Sequence, residues 1–326
     1  MKLKTNIIFG FFLGLGFLVL PHFAAAYNAG FVTSSYTATT PEGTKTYTDY
    51  FWYPTNTAAA TYNYGNGAVS QVALNAPMAG NNHPVVIYVH GDGGCGIVSV
   101  FITEELAKAG YVVAAINYLD AGTNCGGDGG TVPGEPSYSN ASAWNDQSYI
   151  YRYDDTETLI NQLVLLNATN SSFLYQSMNL NRLGFMGHSL GGYTGDAMLG
   201  AWPSWLDTRF RAGLLLSPYS QPFTLSQNQP INIKTPVMLQ GGTQDLGITP
   251  YLPGFYNVLQ SPKYFLVLNG AGHLAWTNIT CFGTTSSDDC LATSTTAAAI
   301  VAYGKSFLDT YVAGTSGSVN TSSSSA

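Results

Sequence analysis

The sequence predicts an α/β fold: a mostly parallel central sheet of about eight strands, helices on both faces, and an antiparallel N-terminal edge. Three observations carry this expectation. Continuous apolar runs at Pro84–Val89, Tyr111–Asn117, Leu183–Gly187, Arg211–Ser217, Thr235–Gly241 and Tyr264–Leu268 have the character of parallel strands covered on both sides. Helical segments separate several of them, which is the alternation of βαβ units. The run Leu183-Gly184-Phe185-Met186-Gly187 ends abruptly in His188-Ser189-Leu190-Gly191-Gly192 and continues as a helix. That is a strand, a tight corner carrying a serine, and a helix.

In chain order, Met1–Ala26 opens on Lys2 and Lys4, is apolar from Ile7 to Leu20 and closes on Ala24-Ala25-Ala26. It reads as a secretory leader cut near Ala26, giving a secreted or periplasmic protein. The apolar run is shorter than the roughly 20 residues a bilayer-spanning helix needs, so no stable membrane anchor is expected. Without the two leader lysines the chain holds 9 basic and 18 acidic residues, a net charge of −9. Such a balance argues against nucleic acid and anionic lipid as partners. Residues 27–314 are expected to form one domain and one core, as a monomer; 315–326, a Ser/Thr/Gly tail, is expected to be disordered.

Between Tyr27 and Asn82, Thr46–Pro54 and Val69–Leu74 have the β-branched and aromatic content of strands. Pro84–Val89 runs into His90-Gly91-Asp92-Gly93-Gly94-Cys95. Phe101–Ala109 is a helix stopped by Gly110, and Ala121–Ser148 is an irregular glycine-rich segment that follows a strand end and overhangs any site there. Asp154-Asp155 are placed to cap a helix with Leu159, Leu163 and Leu166 on one face. Ala292–Val312 is the closing helix.

The corner at Ser189 places a hydroxyl at the end of a strand, because the flanking glycines let the backbone turn tightly. A nucleophilic serine needs a base and an orienting acid, which in this architecture follow it in the order acid, then histidine. Of the five histidines, His22 is in the leader, His83 precedes a strand, and His90 and His188 belong to glycine-containing corners. Only His273 lies downstream. The acids between are Asp196, Asp207 and Asp245. Asp196 is inside the corner helix and Asp207 in a surface-like stretch, whereas Asp245 follows the strand ending at Gly241. Asp245 and His273 each stand at a strand end, so Ser189, Asp245 and His273 are the expected catalytic residues. The oxyanion of acyl transfer would be held by the backbone N–H of Leu190 and of Asp92 in the second glycine-rich corner.

Four cysteines in an exported chain allow three disulfide pairings. The pairs Cys95 with Cys125, just past adjacent strands, and Cys281 with Cys290, bracketing a short loop, are favoured. No Cys-x-x-Cys and no histidine at ligand spacing point to a metal, and no cofactor is expected. Asn140, Asn167, Asn170, Asn278 and Asn320 stand in glycosylation sequons.

Pro84–Asn117, Gly187–Gly192 and Ala271-Gly272-His273 together resemble the α/β-hydrolase superfamily. Within it the chain is most similar to the dienelactone-hydrolase-like group, which includes plasma-type platelet-activating-factor acetylhydrolases and bacterial cutinase-like polyester hydrolases. The resemblance implies Ser189 as nucleophile, Asp245 as acid and His273 as base. It implies an aromatic substrate contact in Pro218–Phe223, for which Phe223 is the candidate. Plasma-type acetylhydrolases carry their acid after the strand following the corner, where this chain reads Leu216-Ser217-Pro218 with no carboxylate.

The expected activity is a secreted serine hydrolase of carboxylic esters, acting through an acyl-enzyme on a small, lipid or polymeric ester. The alternatives are a platelet-activating-factor-acetylhydrolase-like phospholipid esterase, a peptidase, or a catalytically silent binding module on the same fold.

Overall fold

The structure, a computed structural model, describes residues 27–65, 68–130, 132–225, 231–260, 262–281, 294–315 and 317–322. The strands are β1 Asn28–Thr40, β2 Gly43–Thr55, β3 Ala60–Gly65, β4 Ala68–Leu74, β5 His83–Val89, β6 Val112–Ile116, β7 Met178–His188, β8 Phe210–Leu216, β9 Val237–Gly242 and β10 Lys263–Leu268. They form one sheet in the order β10-β9-β8-β7-β5-β6-β2-β1-β4-β3. From β10 to β6 every neighbour is parallel, and β2 then pairs antiparallel with β6. This is the α/β-hydrolase fold, with ten strands where about eight are expected. The expectation missed β1 and β3 because their Thr, Ser, Tyr and Asn side chains break the apolar signal. β1 pairs with β2 along its whole length, and hydroxyls meet across the ladder at Thr37/Thr46 (3.1 Å) and Thr39/Thr44 (3.0 Å).

The helices are α1 Val100–Lys108, α2 Ile150–Ala168, α3 Leu190–Asp196, α4 Gln221–Leu225, α5 Leu252–Val258 and α6 Thr295–Leu308. Period-two alternation along β5 divides its side chains between two cores. Val85, Ile87 and Val89 join Leu159 and Leu163 of α2 and Tyr193 of α3. Val86 and Tyr88 join Ile102 and Leu106 of α1 and Phe307 and Leu308 of α6 on the opposite face. No helix among the described residues is long and apolar enough to cross a membrane. The leader, Met1–Ala26, lies outside the described residues, as does Cys290 of the expected second disulfide.

Two local expectations are corrected. α2 begins at Ile150, so Asp154 and Asp155 lie inside it rather than capping it. Asp155 is buried and accepts from Tyr47 Oη (2.6 Å) and Lys45 Nζ (3.0 Å), a tie between helix and sheet edge. The tail is not free where it is described. Val319 is buried, the Asn320 N–H donates to Ser306 Oγ (2.7 Å), and Tyr303 Oη donates to the Ser322 carbonyl, so the segment lies along α6. Among the sequons, Asn278 is buried and therefore closed to a glycan as folded, while Asn140 is exposed.

The first turn of α2 carries Arg152, fully buried against Asp120, which follows β6. Arg152 Nη1 also donates to the His90 carbonyl (2.9 Å), so the ion pair holds the corner after β5. Removing one partner of a buried pair strands the other charge away from water, at a cost of about 3–5 kcal/mol. Arg152→Met should lose stability of that order in urea unfolding, and Asp120→Leu in the same chain should recover part of it. A single variant as stable as wild type would show that the pair is not buried in solution.

Candidate active site

The residues singled out from sequence meet at the carboxyl ends of the parallel strands, where open α/β sheets bind ligands. Ser189 follows β7 directly, with φ 56° and ψ −116°, a conformation that ordinary side chains rarely adopt. The neighbouring glycines make it possible. A Cβ on Gly187 would lie 2.3 Å from the Gly191 carbonyl oxygen, and one on Gly191 would lie 2.1 Å from that of Val89. The Ser189 N–H donates to the Leu216 carbonyl (3.1 Å), and its own carbonyl accepts from Tyr193 and Tyr219 (3.1 Å each). The corner is thereby tied to β8 and to the segment beyond it.

Ser189 Oγ donates to His273 Nε2 (2.9 Å), and His273 Nδ1 donates to Asp245 Oδ2 (2.9 Å). This direction of donation follows from an ionised Asp245, which accepts only, and the proton positions are inferred from that network. Burial alone would raise the Asp245 pKa, yet hydrogen bonds from His273 and Ser217 and the imidazole's charge hold it below the ordinary carboxylate value. His273 is about one-third exposed, against 3% for the Asp245 side chain. His273 thus reaches solvent while Asp245 is shielded.

Asp207 and Asp196, the two other acids between Ser189 and His273, are engaged elsewhere. Asp207 binds Arg209. Asp196 is fully buried and accepts from Ser220 Oγ (2.5 Å).

Two groups that sequence reasoning did not single out join the hydrogen-bonded line from Ser189 to Asp245. Ser217, after β8, donates to Asp245 Oδ2 and lies 3.1 Å from His273 Nδ1. It occupies the strand end that, from sequence, appeared merely to lack a carboxylate; its left-handed φ of 46° was the signal, and it is not visible in residue type. His188 Nε2 donates to the His273 carbonyl (2.9 Å), and its ring lies parallel to Trp276. Burial, then the charge of His273, pushes the His188 pKa down to about 3, so the ring stays neutral and keeps a single N–H for this bond.

The corner after β5 approaches from the other side. His90 is held near a pKa of 4 by burial and by Arg152, and it accepts from the Tyr118 N–H at Nε2 (3.1 Å). That leaves the proton on Nδ1, which donates to the Gly91 carbonyl (2.7 Å). The N–H groups of Gly93 and Gly94 donate to Asp120 and Gly91 (3.0 Å each), closing the turn. The Asp92 N–H has no backbone acceptor among the described residues. The Leu190 N–H, at the first position of α3, has none within its helix.

Cys95 and Cys125 form a disulfide, linking this corner to the glycine-rich segment after β6. The Gly122 N–H donates to the Gly94 carbonyl (2.9 Å), a second tie between the two loops.

Ser189, His273 and Asp92 open on a cleft of about 1070 Å³. One wall is polar, built from Tyr138 to Ser142. The other is apolar, built from Leu225, Leu246, Ile248 and Tyr251, and Leu246 is 73% exposed. Phe223, the expected substrate contact, is not on either wall. It is 1% exposed and stacks on Tyr193 (5.1 Å) beside Trp202 and Phe255, so it is a core residue. Tyr219, from that stretch, and Leu225, just beyond it, line the cleft instead.

The comparisons agree with the architecture. No family model matches the chain, and no curated protein matches it in sequence. Among solved structures it is similar to the ferulic acid esterase from Streptomyces cinnamoneus, with a TM-score of 0.61 and 19% identity. The match covers 94% of this chain and 96% of that one. At that identity the likeness shows a shared fold.

Burial raises the Asp196 pKa well above the ordinary value, and the Ser220 bond offsets only part of this. An acid with a raised folded-state pKa stays protonated in the native protein while the unfolded chain ionises. Its stabilising contribution is full below the unfolded pKa and is lost as pH rises through the folded one. Asp196→Asn keeps an acceptor for Ser220, so it should flatten the decline in stability from mildly acidic to alkaline pH, read from urea curves across pH. An equal loss of stability at every pH would mean that Asp196 is folded as an anion.

Proposed function

We propose that this chain is a serine hydrolase of carboxylic esters, exported after removal of its leader. The observation that carries the proposal is the continuous hydrogen-bonded line Ser189, His273, Asp245 at a strained strand-to-helix corner, opening on a cleft. That one solved structure sharing the fold is a ferulic acid esterase supports the reading by analogy of fold.

In this mechanism His273 Nε2 takes the Ser189 proton as Oγ attacks the ester carbonyl. Asp245 keeps the imidazole oriented and stabilises its positive charge while remaining ionised. The negative charge on the former carbonyl oxygen is met by the N–H groups of Asp92 and Leu190. His273 then gives its proton to the departing alcohol, leaving an acyl group on Ser189. Water, deprotonated by the same nitrogen, attacks that acyl group, releases the acid and restores the serine. His188, fixed as a neutral donor to the His273 carbonyl, and Ser217, donating to Asp245, hold the two partners of the relay in place.

Ser189→Ala should lower kcat for p-nitrophenyl esters on the order of 10⁶-fold. Asp245→Asn should lower it about 10⁴-fold, because the imidazole loses its orientation. Asp207→Asn should change little. A fluorophosphonate should label Ser189 and no other residue. Turnover that survives Ser189→Ala would sink the mechanism.

The disulfide is expected to act on binding rather than on chemistry, since it ties the overhanging segment to the corner of Asp92. Cys95→Ser with Cys125→Ser should raise KM for bulky esters more than it lowers kcat for acetate esters. Equal effects on both would place the disulfide's role in overall stability alone.

A further inference from the structure

We infer that the Asp92 side chain is the specificity-determining group of the cleft: a carboxylate that, when ionised at alkaline pH, turns away esters carrying a carboxylate near the scissile bond and favours neutral and cationic ones. The inference rests on the esterase reading and adds a substrate class to it.

The position is set by the backbone. Gly91 passes so close to the corner of β7 that a Cβ there would lie 2.9 Å from Ser189 Cβ, so Asp92 is one residue from a direct contact with the nucleophile. The turn carrying it is pinned by Gly94 to Gly91, by Gly93 to Asp120 and by Arg152 to the His90 carbonyl. A side chain on so constrained a turn has a defined place. It lines the cleft together with Ser189 and His273, and its Oδ1 would lie 2.9 Å from a Cβ on Gly130, against the glycine-rich overhang. The carboxylate therefore stands on the cleft wall and leans away from the oxyanion, whose donor is the backbone N–H of the same residue.

Among the described lining residues there is no Lys or Arg to neutralise it. Burial, then the charge of Asp120, raises the Asp92 pKa above the ordinary carboxylate value, and Arg152 and the Tyr138 hydroxyl offset only part of this. Arg152, the cation nearest along this network, is fully buried and already paired with Asp120. The other carboxylate at the cleft, Asp245, is held by His273 and Ser217. A substrate anion entering a partly desolvated cleft beside the ionised Asp92 carboxylate meets a repulsion worth on the order of tenfold in kcat/KM. A cation gains by a similar factor. The same field acts on the product: hydrolysis turns a neutral acyl group into a carboxylate beside Asp92, which favours its departure.

The test uses three p-nitrophenyl esters of matched length: a hemiglutarate, its methyl-capped neutral counterpart, and a 4-trimethylammoniobutyrate. They are assayed at alkaline pH and low salt with the mature protein, Asp92→Asn and Asp92→Ser, active sites being counted with a phosphonate. The readout is the ratio of kcat/KM values within each protein, which cancels any change in the oxyanion donor. Wild type should prefer the neutral to the anionic ester, and the cationic to the neutral. Both variants should narrow the first gap on the order of tenfold and remove the second preference. If one variant does not fold, the other gives the same reading. An anionic-to-neutral ratio that is the same in all three proteins would overturn the filter while leaving the esterase reading intact. A wild-type protein that hydrolyses none of the three would overturn both.

Discussion

The structure depends on one backbone constraint, the left-handed turn at Ser189. A non-glycine residue in such a conformation costs of order 1–3 kcal/mol and persists only where its surroundings over-determine it. Here they do. The Ser189 N–H is bound to β8, its carbonyl holds both the first turn of α3 and the exit of β8, and Gly187 and Gly191 leave no room for a side chain on either flank. The consequence is positional. The hydroxyl is lifted off the sheet toward His273, and the first N–H of α3 is left without an intrahelical partner beside it.

Around that corner, burial and hydrogen bonds bias the protonation of His90, His188 and Asp245. Two histidines, His90 and His188, are driven neutral by burial, and each serves as a hydrogen-bonding strut. Asp245 is kept anionic by two donors despite its burial. Arg152 and Asp120 neutralise each other out of solvent and transmit their rigidity to the corner after β5 through the His90 carbonyl. His273 is about one-third exposed, which suits the proton transfers proposed for it.

Much of this was legible in the chain because the relevant signals are local. Apolar runs located the parallel strands, and the glycine spacing around Ser189 located the corner. The position of Asp245 after the run ending at Gly241 separated it from Asp196 and Asp207, and the structure places it beside His273. The Cys95 to Cys125 link followed from two cysteines just past neighbouring strand ends. What failed depends on non-local packing. Polar strands β1 and β3 are stabilised by their neighbours rather than by an apolar pattern. Asp154 and Asp155 resemble a helix cap until Arg152 is seen to be drawn into the first turn of α2 by Asp120. Phe223 looked like a substrate contact by analogy, but Tyr193, Trp202 and Phe255 enclose it. Ser217 and His188 gain their importance only from what the fold sets opposite them.

The central claim is that Ser189 carries the acyl group between two half-reactions, and rapid-mixing kinetics with intact-protein mass spectrometry address it most directly. With a slowly deacylated p-nitrophenyl ester, nitrophenol should appear in a burst equal in amount to the active protein. A protein species heavier by one acyl group should accumulate over the same interval and decay with the steady-state rate, the added mass mapping to the peptide that contains Ser189. A progress curve without a burst under conditions where the acyl-enzyme should accumulate, or an acyl group mapped to any other residue, would contradict the account.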